Sequence, residues 1–242
     1  MVLPAGITKG TGLYEALGEL GINTSPMRCG MLRILSALER AMGIERALSV
    51  FDAIKERRAI RAYTDESVDE VTIRTLLKSA VQAPTAMHLE PWSFVIIQDK
   101  TVLKRYSDRA KEAMLSGTQS HHALVKSPGG EDAHLQMLAN PDFNIFYNAG
   151  TLIVICGKSA SPYVVADCWL AAENLMLTAC GMGLGTCCIG FAIPLLNTDA
   201  VKADLQIPTD VVAVAPIIVG FPTASVPSVS RKDPLILHWK RQ

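Results

Sequence analysis

The chain holds 242 residues, with 23 lysines and arginines against 23 aspartates and glutamates, so its formal net charge is zero. Affinity for DNA or RNA rests on cations that neutralise phosphates, and this balance excludes a general nucleic-acid binder; any anion site is local. Hydrophobic residues make up 49% and charged ones 19% of the chain, a composition that builds a core and lies far from that of disordered chains.

Residues 1–47 differ from the rest. An irregular Gly/Thr/Pro-containing stretch runs to Pro26, and Leu32, Leu35, Leu38 and Met42 then recur at helical spacing. They are read as an extension with an amphipathic helix, ahead of one domain over 48–242. From Val50 onward helix and strand signals alternate. Asp69 and Glu70 mark a helix start, and Ile73, Leu76, Leu77, Ala80 and Val81 follow i, i+3, i+4, i+7, i+8 spacing until Pro84. Residues 93–97 predict a buried strand, 100–117 a mixed-charge surface helix and 151–156 a second apolar strand. Residues 162–180 predict a helix apolar on nearly every side, ended by Gly181. Further strands are expected at 185–190 and 211–220, before a Pro/Ser-rich, extended tail.

The longest apolar stretch, 166–193, is broken by Asp167, Glu173, Asn174 and several glycines, so it lacks the run of about 20 apolar residues that spans a membrane. The first thirty residues show no basic segment followed by an apolar one, and the expectation is a cytoplasmic protein with no membrane partner. Cys29, Cys156, Cys168, Cys180, Cys187 and Cys188 form no CxxC or Cys/His ligand spacing and read as small buried hydrophobes. The five histidines lack zinc-ligand spacing, so no metal is expected.

Three constellations carry chemistry. Lys55-Glu56-Arg57-Arg58-Ala59-Ile60-Arg61 puts four cations in seven residues. Such a run is a solvated face or a phosphate cradle, since guanidinium forks match phosphate oxygens in bidentate fashion. If Arg231-Lys232 meets it in space, the two clusters neutralise a dianion. In Gly181–Gly190, Cys188 stands where a dinucleotide fingerprint needs its third glycine, and a helix precedes what a strand should precede. These glycines are a cap and turn, or a place where backbone N–H groups approach a flat ligand. Ala83–Trp92 joins a helix to a strand, and its His88 is a ligand, a base or a hydrogen-bonded loop histidine. No P-loop and no GxSxG elbow occurs.

Taken in order, Arg57-Arg58-Ala59-Ile60-Arg61, Ala83–Trp92, Ala166–Gly190 and Val229–Pro234 resemble the motifs of the FMN-dependent nitroreductase family, over about four fifths of the chain. The resemblance implies an α+β fold with a mainly antiparallel sheet flanked by helices, in an intertwined homodimer with two FMN sites at its interface. It places Arg57, Arg58 and Arg61 on the ribityl phosphate and the polar edge of the ring, with Ala59 offering backbone where the family has a serine. Thr85, Ala86 and His88 would come from the partner subunit. Cys188, Ile189 and Gly190 would run along the ring, and Arg231 and Lys232 would close on the phosphate. No residue is assigned as strictly catalytic: NADH or NADPH delivers hydride to the flavin in a ping-pong cycle, and a nitroaromatic, quinone or related acceptor takes it up. Alternatives are reductive dehalogenation, flavin fragmentation or a non-enzymatic flavin-binding module. The HxEPW form of His88–Trp92 is similar to the iodotyrosine deiodinase branch, whose Glu/Tyr/Lys lid has no counterpart in 117–148. That region is the expected lid, with Phe143, Phe146 or Tyr147 as stacking candidates.

Overall fold

The computed structural model describes residues 48–116, 130–158 and 162–241. The amphipathic segment within 1–47 and the His121-His122 part of the expected lid lie outside them. The elements are α1 (Val50–Glu56), α2 (Glu70–Ala80), β1 (Trp92–Ile97), α3 (Lys100–Leu115), α4 (Gly130–Ala139), β2 (Thr151–Lys158), α5 (Val164–Gly181), β3 (Gly185–Cys188), α6 (Ile193–Leu196), α7 (Asp199–Asp204) and β4 (Val211–Gly220). The strands form one sheet in the order β1-β2-β4-β3, and every neighbouring pair is antiparallel. This is the α+β architecture expected.

Local chemistry starts the helices where the sequence predicts. The Asp69 side chain caps α2 by accepting from Thr72 N at 2.9 Å, and Asp99 caps α3 by accepting from Thr101 N at 2.8 Å. β2 and β4 are the central pair, and their apolar runs are buried on both faces. On one face pack α2 and α5, with Leu76, Leu175, Ala171 and Ala172 fully buried. On the other pack α3, α6 and the 143–149 loop, with Tyr106, Leu103 and Phe146 fully buried. Cutting a side chain such as Leu175 to alanine would cost about 2–5 kcal/mol.

Three expectations need correction. β1 is not a buried strand: only Ile97 is buried, because β1 has a strand neighbour on one side alone. α5 is apolar on nearly every side, with one face buried here and the apolar Val165, Trp169 and Leu170 exposed. Gly181 is still helical, and the left-handed residue after the cap is Gly183, with φ 75°. The strand expected at 185–190 ends at Cys188, where the chain turns into a short 3₁₀ segment, Gly190–Ala192. Among the described residues no helix is long and apolar enough to cross a membrane.

Candidate functional site

The arginine segment leaves α1 at its C-cap, Arg57, and runs beside β3. Ala59 bridges Thr186 in parallel register, and Ile60 N donates to Thr186 O at 2.9 Å. The Tyr63 hydroxyl donates to Ile60 O at 2.7 Å, and Thr64 N donates to Phe221 O at 2.8 Å. Gly185 is required by this packing: a Cβ there would stand 2.8 Å from Ile60 Cβ. The glycine serves contact with the segment and not the approach of a ligand.

Two recesses open beside this segment. The larger, about 620 Å³, is lined by Arg57, Arg58, Thr186, Gly183, Ser225 and Ser228, among others. The smaller, about 190 Å³, is lined by Arg61, Tyr147, Cys187, Cys188, Ile189 and Gly190, with Ile145 and Phe191. Arg57 Nε lies 3.3 Å from Glu173 Oε1, close enough for an ion pair yet off line for a hydrogen bond. Arg58 Nη1 donates to Lys55 O and Arg57 O, both at 2.7 Å, and so caps the end of α1. The Nε atoms of Arg57 and Arg58 are buried and have no hydrogen-bond partner. A buried donor left unmade costs about 1–3 kcal/mol, so these atoms mark a place for an acceptor.

The wall of the smaller recess is held under strain. Tyr147 and Asn148 both take left-handed backbone, with φ of 51° and 56°, a conformation that costs about 1–2 kcal/mol per residue. Three side chains hold it. Lys111 Nζ donates to Phe143 O at 2.7 Å, Ser107 Oγ accepts from Ile145 N at 3.0 Å, and Asn144 Nδ2 donates to Asn148 Oδ1 at 3.0 Å. The Tyr147 ring is thereby placed with the Arg61 guanidinium carbon 5.8 Å from its centroid. Phe143 packs edge-on to Tyr147, whereas Phe146 is fully buried in the core and offers no stacking face. Burial pushes the Cys187 thiol up, against a downward pull from Arg61 and then Arg57. Burial likewise pushes the Cys188 thiol up to about 11.

Of the predicted residues, Arg57 and Arg58 line one recess, and Arg61, Cys188, Ile189 and Gly190 the other; Ala59 lines neither and bridges Thr186 of β3. Thr85, Ala86, His88, Arg231 and Lys232 line neither. Ala86 N donates to Asp167 Oδ1 at 3.2 Å. That anchor is 13 residues along α5 from Cys180 at the larger recess, or about 20 Å at 1.5 Å per residue. Arg231 and Lys232 are exposed on the tail, but Ser228, three residues earlier, lines the larger recess.

A sequence profile described as the nitroreductase family matches residues 54–221. The chain belongs to the nitroreductase family. It is 30% identical over 174 residues to an Archaeoglobus fulgidus protein named for NADH dehydrogenase/NAD(P)H nitroreductase activity, covering 70% of this chain and 83% of that relative. Among solved structures it resembles a Bacteroides fragilis nitroreductase with bound FMN, at 22% identity and TM-score 0.66, over 80% of this chain and all of the other. It also resembles an iodotyrosine deiodinase bound to FMN and 3-iodo-L-tyrosine, at 20% identity and TM-score 0.61, over 79% of this chain and all of that one. At these identities the structural likeness is one of fold.

Within this nitroreductase-family chain, the roles of three residues escape a reading of the sequence. Glu173 faces Arg57, and its signal was a charge on an otherwise apolar helix. Asp167 holds Ala86 while its Oδ2 is buried without a partner, and its signal was the same. Lys111 looks like one more surface cation, and nothing local marks it as buried.

Proposed function

We propose that this chain is an FMN-dependent oxidoreductase that takes electrons from NADH or NADPH and passes them, in a ping-pong cycle, to nitroaromatic, quinone or related acceptors. The observation that carries it is the pair of buried guanidinium Nε donors that make no hydrogen bond, on Arg57 and Arg58 of the larger recess, with Arg61 and open backbone walling the smaller one. The residues fit the group. Arg57 and Arg58 offer donors to a phosphate, and a Cβ at Gly190 would meet nothing within 4 Å, so the backbone there lies open to a flat ring. The FMN and NAD(P)H in the names of similar proteins support the same reading.

FMN, when bound, supplies the two-electron chemistry that lets a nucleotide donor and an acceptor react in turn at one place. The protein's part is electrostatic. The Arg61 guanidinium stabilises negative charge at the ring edge. Cys188, pushed to about 11, stays neutral beside it and adds no opposing charge. Arg57 and Arg58 hold the phosphate, Ala59 contributes backbone alone, Ile189 and Gly190 follow the ring, and Arg231 and Lys232 close over the tail. The working form is a homodimer, in which Thr85, Ala86 and His88 reach the partner's site. Exposed Phe51, Ile54, Trp169, Leu170 and Leu237 supply apolar surface for that interface.

The purified protein should be yellow and should bleach under anaerobic NADH or NADPH. Arg57→Ala or Arg58→Ala should lose a charge-assisted bond of about 1.5–3 kcal/mol, a roughly ten- to hundred-fold weaker FMN complex. Unchanged affinity in both variants would refute the phosphate placement. A second reading, reductive dehalogenation, is favoured by His88-Leu89-Glu90-Pro91-Trp92 and by the deiodinase likeness; halide release from a halotyrosine separates the two.

A further inference from the structure

We propose that Glu173 is a built-in competitor at the phosphate site, a carboxylate that weakens the grip of Arg57 on a phosphate monoester. The proposal rests on the FMN reading above and adds to it a residue that sets affinity. Glu173 and Asp167 are the two charged residues of α5. Asp167 spends its carboxylate on Ala86 N. Among the described residues Glu173 makes no hydrogen bond, and its carboxylate meets only Arg57, at 3.3 Å from Nε.

That geometry is poor as a structural ion pair. The Arg57 N–H is off line, its Nε remains without a hydrogen bond, and the Glu173 side chain keeps 46% of its exposure. A half-exposed, misaligned pair contributes little to folding. Its effect lies in what else Arg57 can hold. Without a phosphate, Glu173 offsets part of the mutual repulsion of Arg57 and Arg58. A phosphate oxygen that accepts from Arg57 brings its negative charge close to the same carboxylate, and like charges at that range oppose each other. Glu56, a second acid lining the larger recess, adds to the opposition. The result is a site built to bind a dianion less tightly than its arginines alone would allow.

The test is Glu173→Gln, which keeps the shape and removes the charge. Apoprotein is titrated with FMN and with riboflavin by flavin fluorescence, alongside Arg57→Ala and the Arg57→Ala/Glu173→Gln double variant. The expected result at low salt is FMN binding about two- to five-fold tighter in Glu173→Gln, shrinking as salt rises. Riboflavin, which lacks the phosphate, should bind equally to both proteins, and the gain should vanish in the Arg57→Ala background. If Glu173→Gln binds FMN with unchanged or weaker affinity while Arg57→Ala weakens it, the competitor role is wrong and the flavin reading stands. A riboflavin gain equal to the FMN gain overturns the proposal too. FMN affinity indifferent to Arg57→Ala and Arg58→Ala removes the phosphate site itself.

Discussion

Replacing Gly185 with alanine tests the contact that seats the arginine segment on the sheet. The added Cβ would lie 2.8 Å from Ile60 Cβ, 2.8 Å from Cγ1 and 2.9 Å from Cγ2, all closer than real Cβ contacts. Ile60 cannot swing aside. Its β-branched side chain has one stiff rotamer choice, it is buried, and its N–H is tied to Thr186 O at 2.9 Å. Relief therefore means lifting residues 57–61 off β3. Overpacking of this kind costs about 1–3 kcal/mol, and weakening the Ile60–Thr186 bond adds about 1 kcal/mol. At about 2–4 °C per kcal/mol for a domain of this size, the melting midpoint should fall by about 4–16 °C. Circular dichroism melts read that directly, and FMN titration should show weakened binding because Arg57, Arg58 and Arg61 move together. Ile60→Ala removes two of the three clashing carbons, so the double variant should be less destabilised than the sum of the singles. A Gly185→Ala protein that melts within about 1 °C of the parent would refute the reasoning.

Gln206 ends α7 in left-handed backbone, φ 55°, with Ile207 N donating back to Lys202 O at 2.8 Å. Gln206→Gly should raise stability in urea unfolding by about 0.5–1 kcal/mol, and a loss would count against the strain. Lys111→Met leaves the Phe143, Asn140 and Pro141 carbonyls without their buried amine, so it should destabilise by about 1–3 kcal/mol in the same assay; an effect below about 0.5 kcal/mol would show the clamp is not needed. Burial raises the thiols of Cys156 and Cys188 to about 11 and that of Cys168 to about 12, from an ordinary 9.0. Above pH 9 the unfolded chain releases these protons while the folded chain keeps them, so stability present below pH 9 is lost as pH climbs toward 12. Under reducing conditions the urea midpoint should drop from pH 8 to pH 10, and Cys168→Ala should flatten that slope; a midpoint indifferent to pH would contradict it.

Much of the fold is legible in the sequence because its signals are local. Asp69 announces α2 by a side chain that satisfies a backbone donor three residues on, and β2 and β4 are apolar enough to require cover on both faces. What is lost depends on partners far along the chain. Residues 93–97 are as apolar as a central strand, and only the sheet order shows them on an edge. Gly185 reads as part of a cap and turn or as room for a ligand until Ile60 is found against it. The helix α4 has a weak amphipathic pattern and gave no signal within the expected lid. At the site, the arginines and Cys188–Gly190 are visible as motifs, but the carboxylate of Glu173 becomes part of it only once α5 is laid beside α1.

The parallel bridge from Ala59 to Thr186 gives the arginine segment a second duty as a cover. β3 is four residues long and has β4 on one side; residues 59–60 close its other side, in the manner of a lid over an unpaired strand. Peeling that cover away bares amide and carbonyl groups ready to template another chain. Substitutions that loosen 57–61 should therefore bring down two properties at once, cofactor retention and colloidal solubility, and a screen for pale colonies should enrich for precipitating protein as well.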